Sequence, residues 1–316
     1  MRPLVSTFAA LCAWLAVASA QAADPVYPTG ARFGFVPPAG FERSAQFAGF
    51  EDKNSGASIL MVEMPAQAHP EIERQMRKEN VKKQGIVEEK REALPLAAGK
   101  AMLIVGSQEG DGRKIRKWIL LASTADATAL IVVQVPDESK GAYSDDAIRT
   151  ALSSLSVRAS VPIEEQLSLL PITFDDLSGL RPIRVLGSNG AFLTEGPKDT
   201  LDATEQPAMI VSIGAGSPEQ PFARDNFARN LFTGLTDFKD VRIVGVDMLR
   251  LGGGLQTHQL LAEANDARTG VPMKLVQWVR FGRTGFLRMV GVARADAWSE
   301  AFPRFRAVRD GVNPRG

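Results

Sequence analysis

A tryptophan-bearing segment occurs twice in this chain, and it strongly constrains the fold. Lys114 to Leu155 contains a strand with Trp118, a short turn, a second strand and an amphipathic helix. The same order returns from Met273 to Val308 around Trp278, and the two tryptophans are 160 residues apart. A pattern repeated at this spacing predicts one structural unit that is used twice.

The first 23 residues have the features of a secretory signal peptide. Arg2 precedes an apolar run from Leu4 to Val17, which is fourteen residues long. A helix needs about 20 apolar residues to span a bilayer, so this run is too short to do so. We expect cleavage near Ala20 or Ala22, a periplasmic or secreted protein, and no membrane span in the mature chain.

Composition excludes several functions of the mature chain. Cleavage removes Arg2 and Cys12, the only cysteine, and leaves 36 basic and 36 acidic residues. A chain without cysteine has no thiol nucleophile, thiolate metal ligand or thiol redox centre. A balanced charge lacks the basic excess that binding to nucleic acid requires, so no nucleic-acid partner is expected.

Helices alternate with strands in the same way in both repeats. We predict helices over 70–84 and, after an N-cap at Ser144, up to Leu155 in the first repeat. In the second, a helix is predicted over 221–235, with Ala223, Phe227, Leu231 and Leu235 inward. Another is predicted near the end, with Asp296 as its cap and Trp298, Ala301, Phe302 and Phe305 inward.

Helices separated in this way from antiparallel strands indicate an α+β fold. We predict two tandem repeats, each an antiparallel sheet flanked by helices as an α/β/α sandwich. The expected division is a signal peptide at 1–23, a first domain at 24–160, a linker at 161–170 and a second domain at 171–316.

Four short segments of the first repeat resemble the PsbP-like fold. They are Phe35–Phe41 (FVPPAGF), Ser58–Val62 (SILMV), Lys117-Trp118 and Ala151–Leu155 (ALSSL). This fold is shared by an extrinsic protein of photosystem II, a Ran-binding nuclear import protein and several small exported bacterial proteins. The second repeat matches in order but lacks the Pro-Pro-Ala-Gly turn. The resemblance implies a binding or accessory module rather than an enzyme, by analogy of fold alone.

Residues that could carry chemistry are few. The histidines are His69 and His258, one in each repeat, and neither has a second histidine at a spacing that favours zinc. Gly252-Gly253-Gly254 is expected to be a turn or a bulge, since it lacks the spacing of a dinucleotide-binding loop. We therefore predict no cofactor and no metal. A hydrolase using His258 is the least favoured alternative, and it requires a Ser or Asp within hydrogen-bond reach of the imidazole.

Each repeated tryptophan shares a strand face with basic residues. Residues of a strand alternate between its two faces. Three interpretations follow: a helix covers each tryptophan, the two faces meet each other, or the face binds a partner or an anionic ligand. The candidate partner or ligand surface comprises Trp118, Arg116, Lys274, Trp278, Arg280, Gln277 and His258.

The sequence thus predicts a non-enzymatic periplasmic binding or accessory module. It would recognise a protein or an envelope component through a sheet face or the groove between the repeats. The alternative is a small-ligand carrier, which predicts an apolar pocket with inward polar groups such as Gln277 and His258.

Overall fold

The computed structural model describes residues 23–97, 99–110, 112–251 and 256–315. The predicted signal peptide, apart from Ala23, lies outside the described residues, as do the cleavage positions Ala20 and Ala22 and the predicted turn at 252–254. None of the helices in the described part has the length and apolar character to cross a membrane.

The chain divides into two compact units. Among the described residues, unit 1 comprises 33–157 with 23–28, and unit 2 comprises 158–315 with Thr29–Arg32. The predicted boundaries of the two domains, 24–160 and 171–316, and of the linker, 161–170, remain predictions.

Unit 1 contains nine strands and three α-helices in its described residues. The strands are β1 (Phe33–Gly34), β2 (Glu42–Arg43), β3 (Gly49–Asp52), β4 (Ala57–Pro65), β5 (Ile86–Leu96), β6 (Gly99–Gly110), β7 (Arg113–Ser123), β8 (Ala127–Pro136) and β9 (Ser156–Val157). The helices are α1 (His69–Gln75), α2 (Lys78–Lys83) and α3 (Asp145–Ser153), with 3-10 turns at Ala66–Ala68 and Asp137–Ala142.

Unit 2 repeats this order after a short leading helix. Its helices are α4 (Ile163–Ser168), α5 (Pro221–Thr233) and α6 (Trp298–Gly311). Its strands are β10 (Ile172–Phe174), β11 (Leu180–Leu186), β12 (Gly190–Glu195), β13 (Ala208–Ala215), β14 (Phe238–Arg250), β15 (Gln256–Asp266), β16 (Pro272–Phe281), β17 (Gly285–Arg294) and β18 (Val312–Pro314).

The two main sheets have the same topology. Unit 1 has the seven-stranded order β2-β3-β4-β8-β7-β6-β5, and unit 2 has the seven-stranded order β11-β12-β13-β17-β16-β15-β14. All neighbouring strands are antiparallel. In each unit the first strand pairs with the strand that follows the last helix, β1 with β9 and β10 with β18. The α+β fold with two tandem repeats is confirmed.

Helices cover both faces of each sheet. In unit 1, α3 packs over the core that contains Trp118, while α1 and α2 contribute Met76 and Val81 to the core on the opposite face. In unit 2, α6 covers the core that contains Trp278, and α5 contributes Ala228 and Phe232 to the other. Strand β8 is central and mainly apolar, although Leu130 and Val132, on the side of α1 and α2, are only half-buried. Each unit is therefore an α/β/α sandwich, as predicted.

Two glycines occupy equivalent places in the repeats and allow neighbouring strands to pair closely. Gly49 has φ +154°, and a Cβ there would lie 1.9 Å from the carbonyl oxygen of Ile59. At Gly190 a Cβ would lie 2.2 Å from the carbonyl oxygen of Val211. Ile59 pairs with Val133, which in turn pairs with Trp118. In unit 2, Val211 pairs with Met289, which pairs with Trp278. Ile59 and Val211 are therefore equivalent, and so are the two glycines that approach them. Only a residue without a side chain fits either place.

The single helix predicted over 70–84 is wrong, because two short helices occupy this segment. Arg77, between them, has an extended conformation with ψ 147°. Met76 and Val81 are both buried against the sheet. Residues five apart point about 140° apart on one continuous helix, so an unbroken helix could not bury both. Arg91 donates to the carbonyl oxygen of Met76 at 2.7 Å and satisfies the interrupted end.

One of the two predicted helix caps is confirmed and the other is wrong. Ser144 caps α3 as expected, with its hydroxyl accepting from the backbone N–H of Ala147 at 3.1 Å. Asp296 does not cap α6, because it forms a bidentate pair with Arg294 and the helix begins after Ala297.

The buried face of α5 is centred on Ala228 and Phe232, one residue beyond the predicted positions 227 and 231. Phe227 and Leu231 lie at the border of that face and pack against the core. The segment predicted to be a linker contains α4.

Candidate functional site

Both repeated tryptophans are buried. Trp118 is 1% exposed and lies under α3, and Trp278 is fully enclosed under α6. This is the first of the three interpretations, in which a helix covers each face. An indole enclosed by its own domain cannot contact a partner, so neither ring forms part of an accessible surface.

Arg116 links the tryptophan of unit 1 to the covering helix. Its guanidinium carbon lies 5.6 Å from the centroid of the Trp118 ring. The same group forms ion pairs with Glu89 at 2.7 Å and with Asp145, in the first turn of α3, at 2.8 Å. The hydrogen bond with Asp145 raises the pKa of Arg116. This cation joins α3 to the sheet.

Arg280 has the corresponding role at the end of α6. Its Nη1 and Nη2 donate to the carbonyl oxygens of Val312 and Arg309, at 2.8 Å and 2.6 Å. A cation at this position is favoured because the carbonyl groups at a helix C-terminus carry partial negative charge. Burial lowers the pKa of the Arg280 guanidinium. The residue thus secures the helix that encloses Trp278.

Gln277 and Arg288 hold α5 against the opposite face. Gln277 is fully buried, and its Nε2 donates to the carbonyl oxygen of Ala228 at 2.8 Å. Arg288 donates through Nε to Gln277 Oε1 at 2.8 Å and through Nη2 to the carbonyl oxygen of Leu231 at 2.7 Å. Both ends of the Gln277 amide are therefore engaged within the domain, and the amide does not line a ligand pocket as the carrier hypothesis requires.

Lys274 is the candidate surface residue of unit 2 whose side chain reaches solvent. Its side chain is 37% exposed, and its ammonium lies 3.9 Å from a carboxylate oxygen of Glu263. Both residues border an open cleft of ≈ 390 Å³. The candidate residues thus do not form one surface: five are buried, namely Trp118, His258, Gln277, Trp278 and Arg280.

His258 lies in the core beneath α5 and does not have a catalytic arrangement. It is 7% exposed, and its ring meets the ring of Phe281 edge-on at 5.2 Å between centroids. Within the described residues, the imidazole has no hydrogen-bonded Ser or Asp, which the hydrolase hypothesis requires. Burial lowers the pKa of His258, and the charge of Asp225 opposes that shift in part.

This shift predicts a loss of stability in mild acid. Folding lowers the pKa of His258 and so favours its neutral form, whereas the unfolded chain binds a proton near the ordinary pKa of 6.5. Its contribution to the free energy of unfolding is therefore present above about pH 7 and is lost as the pH falls towards 5, by at most about 1.4 kcal/mol per pH unit for one proton. Urea unfolding at several pH values measures it.

His258→Ile is the informative variant for this prediction, because Ile104 occupies the equivalent place in unit 1 and is buried. The variant should lose less stability than the natural chain between pH 7 and pH 5, and His69→Gln serves as the control for loss of a histidine. Equal losses in His258→Ile and the natural chain would contradict the prediction.

Unit 1 exposes part of one sheet face. Leu60 is 36% exposed and Val62 is 41% exposed, and both lie on the side covered by α1 and α2. They pair with Val132 and Leu130, which are half-buried. These four residues, bordered by Lys117, are called the open face below. The open face is thus a small apolar surface made of neighbouring side chains on two paired strands.

The equivalent face of unit 2 is filled. Counting from the two tryptophans along the paired strands, Leu60 and Val62 correspond to Ser212 and Gly214. A Cβ at Gly214 would lie 2.2 Å from the Phe286 ring, and that ring lies 5.1 Å from the ring of Phe227 in α5. The uninterrupted α5, which has 13 residues, therefore closes the face that α1 and α2, with seven and six residues, leave open.

Lys117 has the place in unit 1 that Gln277 has in unit 2. Each residue directly precedes the repeated tryptophan, so its side chain lies on the opposite sheet face from the indole. This is the face of α1 and α2 in unit 1 and of α5 in unit 2. Gln277 binds a helix carbonyl, whereas the ammonium of Lys117 has no hydrogen-bond or ion-pair partner in the part of the chain that the structure describes. Half-burial lowers the pKa of Lys117. A cation beside an open apolar face is thus available to an incoming acceptor.

No protein-family model and no curated protein matches this sequence. Among solved structures, LpqN from Mycobacterium tuberculosis, described as involved in cell envelope biogenesis, has 13% identity over 45% of this chain and 82% of its own, with a TM-score of 0.36. Cyanobacterial PsbP from Synechocystis sp. PCC 6803 has 12% identity over 46% of this chain and 86% of its own, with a TM-score of 0.34.

A third match covers both repeats. It is the T6SS immunity protein TplEi from Pseudomonas aeruginosa, solved in complex with a peptide, with 10% identity over 92% of this chain and 98% of its own and a TM-score of 0.28. A PsbP structure is thus among the matches.

Proposed function

We propose that this protein is an exported, non-enzymatic binding module that receives an amphipathic helix of a partner protein on the open face of unit 1. The observation that carries the proposal is the exposure of Leu60 and Val62 at a place that α5 closes in unit 2. The internal repeat therefore supports a helix as the element that would complete the cover of this face.

The chemistry of the expected helix follows from the open face. Its apolar stripe would cover Leu60 and Val62, which are 36% and 41% exposed, and the burial of this remaining apolar surface favours association by about 0.5–1.2 kcal/mol for each side chain. Its C-terminal carbonyl groups, or a carboxylate in its last turn, would accept from Lys117. In unit 2, Gln277 and Arg288 likewise donate to carbonyl oxygens in the second half of α5.

Photo-crosslinking in the cell tests this proposal, because it captures a bound partner whatever the identity of that partner. Benzoylphenylalanine at position 60 should yield one discrete protein adduct. Position 87 is the control, since Val87 is 65% exposed but lies on the edge strand β5. Co-expression of the natural chain, which lacks the photoreactive residue, should compete for the adduct. No adduct at position 60, or the same adducts at both positions, would contradict the proposal.

A further inference from the structure

Strand β14 forms a long exposed edge of the sheet in unit 2. It has 13 residues and pairs only with β15 among the described strands. Four large apolar side chains on it are exposed, by 38% to 54%: Val241, Val244, Val246 and Met248. An edge strand presents unpaired backbone N–H and C=O groups, so an apolar edge favours pairing with another chain.

The corresponding edge of unit 1 is protected. Strand β5 contains five consecutive charged residues, Glu88 to Glu92, and a proline at position 95. Its one strongly exposed apolar side chain is Val87. Charge and proline are the usual means by which a free edge avoids association. The two edges have the same topological place, so the apolar character of β14 is a feature of its own sequence.

We propose that β14 pairs antiparallel with β14 of a second copy of this chain and joins two sheets across a two-fold axis. The self-complementarity of the strand argues for a second copy over another protein, because a two-fold interface must match itself residue by residue. This inference does not depend on the open face of unit 1.

The bulge in β14 determines the register of this pairing. Ile243 and Val246 pair with Ala262 and Leu260, which face α5, although the two positions are three apart. Val244 is the extra residue of the bulge, and because of it the side chain of Val246 lies on the same sheet face as that of Ile243. Pairing centred between positions 244 and 245 places Ile243 opposite Val246 of the second copy on that face. A register shifted by one residue would set opposite faces against each other.

The same register gives complementary charges on the other face. It places Arg242 opposite Asp247 of the second copy, twice by symmetry. Arg242 has a side-chain exposure of 74% and pairs with Glu263 of its own chain at 2.6 Å. Asp247 is also exposed and accepts from Gln259 at 3.1 Å, so both charges lie at the edge where a second strand would pair. Opposite charges directly across two strands stabilise the pairing, and like charges destabilise it.

Sedimentation equilibrium of the mature chain, with charge reversals in β14, tests the proposal. The natural chain should form a dimer. Arg242→Asp and Asp247→Arg should each raise the dimer dissociation constant about tenfold, because each change sets two pairs of like charges against each other. The double variant R242D/D247R should return to within about threefold of the natural value, since it restores both pairs.

Lys90→Asp is the matched control, since it reverses a charge on the free edge of unit 1 and should leave the dimer unchanged. Far-ultraviolet circular dichroism establishes that each variant is folded. A natural chain that stays monomeric at all concentrations would overturn the proposal. So would a dimer that neither single reversal weakens, or a double variant that does not recover.

Discussion

Trp278→Ala is expected to lower the free energy of unfolding by about 3–5 kcal/mol, the range for large-to-small changes at aromatic core positions. Trp278 is completely enclosed, and its indole N–H donates to Gln259 Oε1 at 2.8 Å. The guanidinium of Arg309 also lies 5.0 Å from its ring centroid. Alanine removes all of these contacts and leaves a cavity between β16 and α6. Urea denaturation followed by circular dichroism measures the loss.

Phe222→Ala is the control for this prediction. Phe222 is a large aromatic residue in the same unit, but it is 80% exposed at the start of α5. Its replacement should change stability by less than about 0.5 kcal/mol, as is usual for surface sites. A Trp278→Ala variant as stable as Phe222→Ala would show that the indole is not part of the core.

Gly49→Ala is expected to destabilise unit 1 by about 3 kcal/mol or more, because the added methyl group overlaps the backbone of the neighbouring strand. The clash is with a carbonyl oxygen, so no side-chain rotation relieves it, and β3 must move away from β4. The loss in thermal or urea unfolding measures the effect.

Gly190→Ala should have the same consequence in unit 2, since Gly190 has the equivalent place. Gly110→Ala is the control, because no atom lies within 4 Å of the position of its Cβ. Natural stability in Gly49→Ala together with a loss in Gly110→Ala would contradict this account of strand pairing.

The architecture could be predicted from local sequence signals. The two tryptophan strands, the apolar run of β8 and the spacing of Ile148, Ala151 and Leu152 in α3 are all periodic patterns, and the structure confirms what they predict. The cap at Ser144 depends only on residues within one turn of the helix. Such signals are independent of what packs against them.

Features that depend on tertiary contacts could not be predicted in this way. The break at Arg77 arises because Met76 and Val81 must both face the sheet, and a sequence pattern does not show that demand. Strand alternation places Arg280 on the face of Trp278 and Gln277 on the opposite face, as in the structure. However, their partners are carbonyl groups of helices distant in sequence, so both residues lie in the core rather than on a binding surface.

The open face required the registers of both repeats. Leu60 and Val62 belong to an ordinary alternating strand, and only the comparison with Ser212 and Gly214 shows that part of this sheet face lacks a cover. The open face is identified because α5 covers the equivalent positions in unit 2, whereas α1 and α2 leave Leu60 and Val62 exposed in unit 1.

Titration calorimetry with the partner captured at position 60 tests the central claim most directly. Binding to the natural chain should show a negative heat-capacity change, the signature of apolar burial. The L60K/V62K variant should bind at least about tenfold more weakly, because two apolar contacts are replaced by charges. Val87→Lys should leave the affinity unchanged. Unaltered affinity in L60K/V62K would contradict the claim that the open face of unit 1 receives the partner.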